Sequence, residues 1–337
     1  MIALLVASLG SAPANALNRG SGSSSVPTQH GLAQTMFRLD EQMDMYERPD
    51  LLDAALEEIP LQELHAAAEA SVQANDVPGY EDGLANALVK WFKKDYFKWV
   101  DPIKCPSCGG KTEYREMGAP TAEETQGGAG RVEVHACAEG SNCSGVFRFA
   151  RFNDPKALMK GPRVGRCGEF ANLFCLFIRA VGLRARYVWN LEDHVWDEYF
   201  SPTLGRWIHL DPCEGARDEP LLYDKGWGKK MSYVLAFAID GAKDVTRGYV
   251  QDWNATLTRR TRGSEEALHQ VLTDVTKRRR LGLPSSEVKR LEIEDQVEAK
   301  WLSESEDRAK SPQAIDGQGR ESGTADWKQE RGEDGAK

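Results

Sequence analysis

Apolar residues recur three and four positions apart over much of the first hundred residues, the period of helices with one buried face. Met36, Leu39, Met43 and Tyr46 share one face; Leu51, Leu52, Ala55, Leu56 and Ile59 share another before Pro60, and Leu61 opens a further helix. A Met-rich face can dock a partner, but core packing is its commoner use. Pro78-Gly79 marks a turn. Leu84 to Val100 then reads as one helix, with Leu88, Trp91, Phe92, Tyr96 and Trp99 opposite Lys90, Lys93, Lys94 and Lys98, closed by Asp101-Pro102.

Beyond residue 100 the period shortens to two. Arg131–Cys137 and Val146–Phe149 read as strands, with a Gly-, Thr- and Glu-rich loop over 117–130 before them. Asp154 and Pro155 supply the cap and first turn of a helix. From Cys167 to Val181, Phe170, Leu173, Phe174, Phe177 and Ile178 define a buried helix that ends at Gly182, followed by strands at 185–190, 194–200 and 206–210. Met231–Ile239 forms a further strand, with 244–250 as its hairpin partner. Helices follow at 264–280, ending Lys277-Arg-Arg-Arg280, and at 286–303, with Val288, Leu291, Val297 and Trp301 in register.

The chain has 337 residues, 41% hydrophobic and 28% charged, room for one large or two modest domains. A net charge of −9 and a pI near 5.4 argue against nucleic acid as a partner. No apolar run is long enough to span a membrane. Residues 1–9 are apolar and Ala12–Ala16 has the small residues of a signal-peptidase site, but no basic residue precedes them. Ser21–Pro27 is a flexible linker by composition. The seven cysteines show no disulfide framework, and five of them carry chemistry that needs reduced thiols, so a cytoplasmic protein is expected.

Cys105-Pro-Ser-Cys108-Gly-Gly is a metal knuckle, two thiolates around a tight turn. Cys137 and Cys143 form a second, stretched knuckle; together the four supply a tetrahedral zinc site, with His135 in reserve should Cys143 not reach.

Cys167 opens its helix, where unpaired N–H groups favour a thiolate. His194 is placed to take the thiol proton, and Asp211 to orient the imidazole. Gly165-Arg166 and Gly168-Glu169 bracket Cys167 and distinguish it from a buried structural thiol. His209 shares a strand face with Asp211 but has no patterned partner. Trp189, Trp196, Trp207 and Trp227 cluster beside Glu198 and Glu214; tryptophan fills cores, and it also stacks on sugar rings, so a sugar groove is one reading of the cluster.

Gly165-Arg-Cys167-Gly-Glu-Phe-Ala-Asn, Asp193-His194-Val-Trp196-Asp-Glu198 and Trp207-Ile-His-Leu-Asp211-Pro-Cys-Glu214 resemble the cytosolic peptide N-glycanases of the transglutaminase-like superfamily. So do the 27- and 17-residue spacings from Cys167 to His194 to Asp211, and Lys225-Gly-Trp227-Gly-Lys-Lys-Met-Ser-Tyr. The likeness covers about residues 84–305. It implies an α+β fold: a transglutaminase-like (papain-like) core, a small zinc-binding β unit, and flanking N- and C-terminal helices. Expected divisions are a signal-like or disordered N-terminus (1–30), a helical part (31–100), the zinc unit (101–150), the catalytic core (151–262), C-terminal helices (263–305) and a disordered tail (306–337).

The resemblance implies hydrolysis of the bond between an asparagine side chain and the innermost N-acetylglucosamine of misfolded N-glycoproteins, in ER-associated degradation. Cys167, His194 and Asp211 would be catalytic, and one Zn2+ structural. Trp196, Glu198, Trp207, Glu214 and Trp227 would line the chitobiose groove. A ubiquitin-receptor shuttle protein of the proteasome pathway would dock on 31–60 and 286–305, and the enzyme would act as a monomer. Phe170 stands where many relatives carry Trp, and the chain lacks room for the extra interaction and mannose-binding domains of animal forms. Rival readings are a transglutaminase or thiol protease with the same triad, a non-catalytic DNA-repair scaffold on the same fold, and a glycan binder with a dead site.

Overall fold

The computed structural model describes residues 29–101, 103–138 and 143–310; the expected N-terminal signal and linker, and nearly all of the expected tail, lie outside them. Four helices lead: α1 (Gln29–Gln42), α2 (Pro49–Glu58), α3 (Leu61–Gln73) and α4 (Tyr80–Trp91). The Met-rich face is core: Met36, Leu39, Met43 and Tyr46 are buried.

The expected helix to Val100 ends early. A π turn over Phe92–Tyr96 closes α4, and the chain then extends into β1 (Lys98–Trp99), which pairs in parallel with β5 (Val164–Gly165). Backbone pairing across the base of the metal unit overrides the helical pattern, while Phe92 and Tyr96 still pack against Phe177.

The unit between those two short strands is a three-stranded antiparallel sheet of β2 (Thr112–Gly118), β3 (Ala129–Cys137) and β4 (Val146–Phe152). β2 was not legible from its polar sequence. The expected loop holds a short helix, α5 (Ala122–Gln126), set by a Thr121–Glu124 capping box. Next come α6 (Pro155–Lys160), capped by Asp154 as expected, and α7 (Cys167–Ala180).

α7 is buried from Glu169 to Ile178 because both its sides are covered. One side takes α2. The other takes the main antiparallel sheet, formed by β6 (Ala185–Asn190), β7 (His194–Ser201), β8 (Arg206–Asp211), β9 (Ala216–Arg217), β10 (Val234–Ala238) and β11 (Gly241–Asp244) in the order β11-β10-β6-β7-β8-β9. Strand alternation splits its faces. Val195, Tyr199, Ile208 and Leu210 join the core around α7, whereas Val188 and Trp196 join a second core with Tyr223, Met231 and Tyr249.

The chain after β11 is not strand. Asp244 Oδ1 accepts from Thr246 N at 3.0 Å and starts α8 (Thr246–Tyr249), which replaces the rest of the expected hairpin. α9 (Trp253–Leu257), α10 (Glu265–Arg280), α11 (Ser285–Ser303) and α12 (Ser305–Ala309) complete the described chain. On α11 the buried positions are Leu291, Glu298 and Leu302, while Val297 is 48% exposed. Glu298 turns inward because Arg186 donates to it from the sheet at 2.5 Å.

Candidate active site and metal centre

β7 and β8 run antiparallel, with Asp197 opposite Leu210, so the start of one strand lies diagonally across from the end of the other. His194 and Asp211 therefore converge, and His194 Nε2 lies 2.9 Å from Asp211 Oδ2. Asp193, at φ +59, turns the chain into β7. Cys167, at the first turn of α7, lies close enough to the same imidazole to help raise its pKa, and the ring nitrogen left to face it is Nδ1.

Asp211 is fully buried and its acceptors are filled. Oδ1 takes the backbone N–H groups of Cys213 (2.7 Å) and Glu214 (3.2 Å), and Oδ2 takes the Tyr223 hydroxyl (2.8 Å). Burial alone would raise its pKa; His194 outweighs that and holds the carboxyl well below the usual range. For His194 burial favours the neutral ring, but Asp211 and the Cys167 sulfur prevail, and its pKa rises to about 9. An imidazolium beside a sulfur is the electrostatic setting of a reactive thiolate.

His209 is not isolated. Its Nδ1 accepts from Glu219 N at 3.3 Å, so Nε2 carries the proton and donates to Tyr223 at 2.7 Å. Burial holds the His209 pKa down near 4, which keeps the ring neutral. Tyr223, which links His209 to Asp211, escaped the sequence reading; it sits in a π turn after β9 with no motif of its own.

The aromatic candidates divide. Trp227 lies edge-on to His194 with centroids 5.3 Å apart, and Glu214, half-buried, follows Asp211 closely. Trp196 is fully buried, 4.3 Å from the Tyr223 ring. Glu198 is buried too, bonded to Arg186 and to the Tyr249 hydroxyl. Trp207 lies near the start of β8, at the end away from Asp211, beneath Arg186 at 4.4 Å. The sequence reading missed Arg186, which a lone arginine in an apolar strand could have signalled as paired.

In the small sheet, the sulfurs of Cys105, Cys108, Cys137 and Cys143 all lie within 4.8 Å of one another. Cys105–Cys143 is 3.8 Å and Cys108–Cys137 is 3.6 Å. Four sulfurs about 2.3 Å from a tetrahedral metal stand about 3.8 Å apart, so the donor set fits such an ion. Hydrogen bonding to the Cys105 sulfur, with burial adding to it, pushes the Cys137 thiol up to about 12; a cation among the four sulfurs would favour their thiolate forms instead. The stretched knuckle reaches. His135 points elsewhere, to Glu133 at 3.3 Å.

The mixed helix-and-sheet fold, with cysteine, histidine and aspartate meeting in that chain order, defines the transglutaminase-like class. The transglutaminase-like superfamily pattern matches residues 120–212, and the Rad4 transglutaminase-like domain pattern matches 190–303. A Yarrowia lipolytica protein named peptide-N(4)-(N-acetyl-beta-glucosaminyl)asparagine amidase is 42% identical over 296 residues, covering 86% of this chain and 81% of that protein. One of the same name from Arabidopsis thaliana is 40% identical over 300 residues, covering 88% of this chain and 41% of the relative. The chain belongs to the peptide-N(4)-(N-acetyl-beta-glucosaminyl)asparagine amidase family. Among solved structures, Rad4-Rad23 crosslinked to an undamaged DNA is similar in fold alone: 16% identity, 85% of this chain and 59% of that chain, TM-score 0.51. Among the described residues no helix is long and apolar enough to cross a membrane.

Proposed function

We propose that this enzyme hydrolyses the amide bond between an asparagine side chain and the innermost N-acetylglucosamine of N-glycoproteins, with Cys167, His194 and Asp211 as its catalytic residues. The observation that carries the residue assignment is the convergence of Cys167 and Asp211 on the His194 imidazole. The Cys167 thiolate attacks the side-chain carbonyl carbon. The C–N bond breaks as the His194 imidazolium delivers its proton to the departing glycosylamine nitrogen. Neutral His194 then takes a proton from water as the hydroxide attacks the thioester carbonyl; the C–S bond breaks, the Cys167 thiolate is released beside the imidazolium, and aspartate is left in the peptide. Asp211 fixes the ring tautomer and balances the imidazolium throughout.

The chitobiose core rests against Trp227 and Glu214, while Trp196, Glu198 and Trp207 shape that wall from within the sheet. A zinc ion on Cys105, Cys108, Cys137 and Cys143 would cross-link the small sheet and take no part in bond making. Misfolded glycoproteins reaching the cytoplasm for ER-associated degradation are the substrates this reading favours. A ubiquitin-receptor shuttle protein of the proteasome pathway would dock on the outer faces of α1 and α11, where Phe37, Ile293 and Val297 are exposed. The decisive experiment is incubation with a high-mannose glycopeptide and mass analysis of the peptide product. Conversion of Asn to Asp is expected; a peptide that keeps one N-acetylglucosamine, is cut in its backbone, or is unchanged would refute the reading.

A further inference from the structure

The small metal-binding sheet is tied to the first turn of α7 by one buried run of charges. Glu133 Oε1 accepts from Arg166 Nη1 at 2.6 Å and from Arg151 Nη1 at 3.0 Å. Arg166 immediately precedes Cys167 and is also held by Asp101, at 2.8 Å. Arg151, on β4, grips both oxygens of Glu169, at 2.6 and 2.9 Å. Glu169 Oε2 in turn caps the helix by accepting from Arg166 N at 3.0 Å. Cys167 is thus bracketed by two residues whose side chains both lead back to Glu133. All four charged groups, Glu133, Arg151, Arg166 and Glu169, are buried.

Glu133 and Cys137 belong to the same strand, four residues apart, so they lie on one face of β3. The cysteine cluster fixes one end of that strand and the arginines fix Glu133 near its middle. A Cβ on Gly165 would lie 2.5 Å from Glu169 Cβ, so glycine there leaves room for the Glu169 side chain at the start of α7. Burying these charges is costly unless every partner is present, which makes the arrangement all-or-none.

We propose that Glu133 is a positioning residue for the reaction: through Arg166 and Arg151 it transmits the fold of the four-cysteine unit to the placement of Cys167. The proposal rests on Cys167 being the nucleophile. Its function is distinct from that of the metal ligands, because Glu133 belongs to the unit but not to the cysteine cluster.

The full chain is compared with Glu133→Gln, Arg151→Lys and Glu133→Asp. Three readouts are taken: turnover of a high-mannose glycopeptide, the rate of Cys167 alkylation by iodoacetamide mapped by peptide mass, and bound metal by elemental analysis. In Glu133→Gln and Arg151→Lys, kcat and alkylation fall together about ten- to hundredfold while KM moves less than about twofold, the signature of a misplaced nucleophile. Bound metal stays at the wild-type level, and Glu133→Asp recovers part of the rate. Folded variants with wild-type kcat and alkylation would overturn the proposal. So would loss of metal in step with activity, or failure of both primary variants to fold, since the network would then serve folding alone. Should the wild type not turn over the glycopeptide, the functional reading falls, and alkylation still decides the positioning role.

Discussion

The Tyr223 hydroxyl donates to Asp211 Oδ2 at 2.8 Å, the same oxygen that meets His194 Nε2. Two neutral or positive donors on one carboxylate oxygen keep Asp211 ionised despite full burial. Removing the tyrosine hydroxyl deletes one charge-assisted hydrogen bond. Tyr223→Phe is expected to cost about 1–2 kcal/mol of transition-state stabilisation, roughly a five- to thirtyfold loss of kcat/KM. Steady-state kinetics on a glycopeptide check it; unchanged kinetics would separate Tyr223 from the site.

Cys167→Ala removes the sulfur and leaves the imidazole–carboxylate pair in place. Asn-to-Asp conversion should drop to background while the glycan is still bound, as read by mass spectrometry and by equilibrium binding of the same glycopeptide. Residual activity near the wild-type level would identify another nucleophile.

The folded His194 pKa of about 9 lies above its ordinary value of 6.5. Protonation therefore stabilises the fold: the contribution is complete below about pH 6.5 and is lost as pH rises through about 9. Its size is on the order of 3 kcal/mol. The imidazolium is also the form that protonates the leaving nitrogen, so kcat/KM should fall along an alkaline limb near pH 9. Denaturant unfolding and pH–rate profiles test both, and His194→Ala should remove the stability limb.

Asp197 faces the opposite side of β7, toward Cys175 in α7, and is fully buried. Burial, with Asp211 adding repulsion, pushes its pKa well above the carboxylate range, so the folded protein holds it neutral. An acid with a raised folded pKa favours the fold below its unfolded value near 3.8, and that advantage is lost as pH rises toward the folded value. Asp197→Asn, neutral at every pH, should raise the unfolding midpoint at pH 7 and change it little at pH 4. A wider gain at pH 4 would contradict the assignment.

Elemental analysis of the purified protein should find about one zinc per chain. Chelation should loosen the β2–β3–β4 sheet first, read as faster amide exchange there than in α7. Full protection without metal would show that the cysteines do not need an ion to hold the sheet.

Much of this molecule was legible in the chain because period and punctuation are local. Asp154-Pro155 set a helix start, Gly182 set the end of α7, and alternation placed β6, β7 and β8 almost to the residue. Where the reading failed, a distant partner had won. Lys98-Trp99 left a good helical pattern to pair with Val164-Gly165, and Val297 ceded the inner face of α11 to Glu298 because Arg186 waits beneath it. The sequence by itself determined the chemistry on offer: a cysteine at a helix start, a histidine and an aspartate on strands, and four thiols for a metal. Only the tertiary structure decided their company. It brought Tyr223 and neutral His209 behind Asp211, took Trp196 and Glu198 into the core, and ran Glu133 from the metal-binding sheet to the turn that holds Cys167. Hydrogen bonds and ion pairs between residues tens of positions apart depend on strand register and helix placement, and no local pattern encodes either.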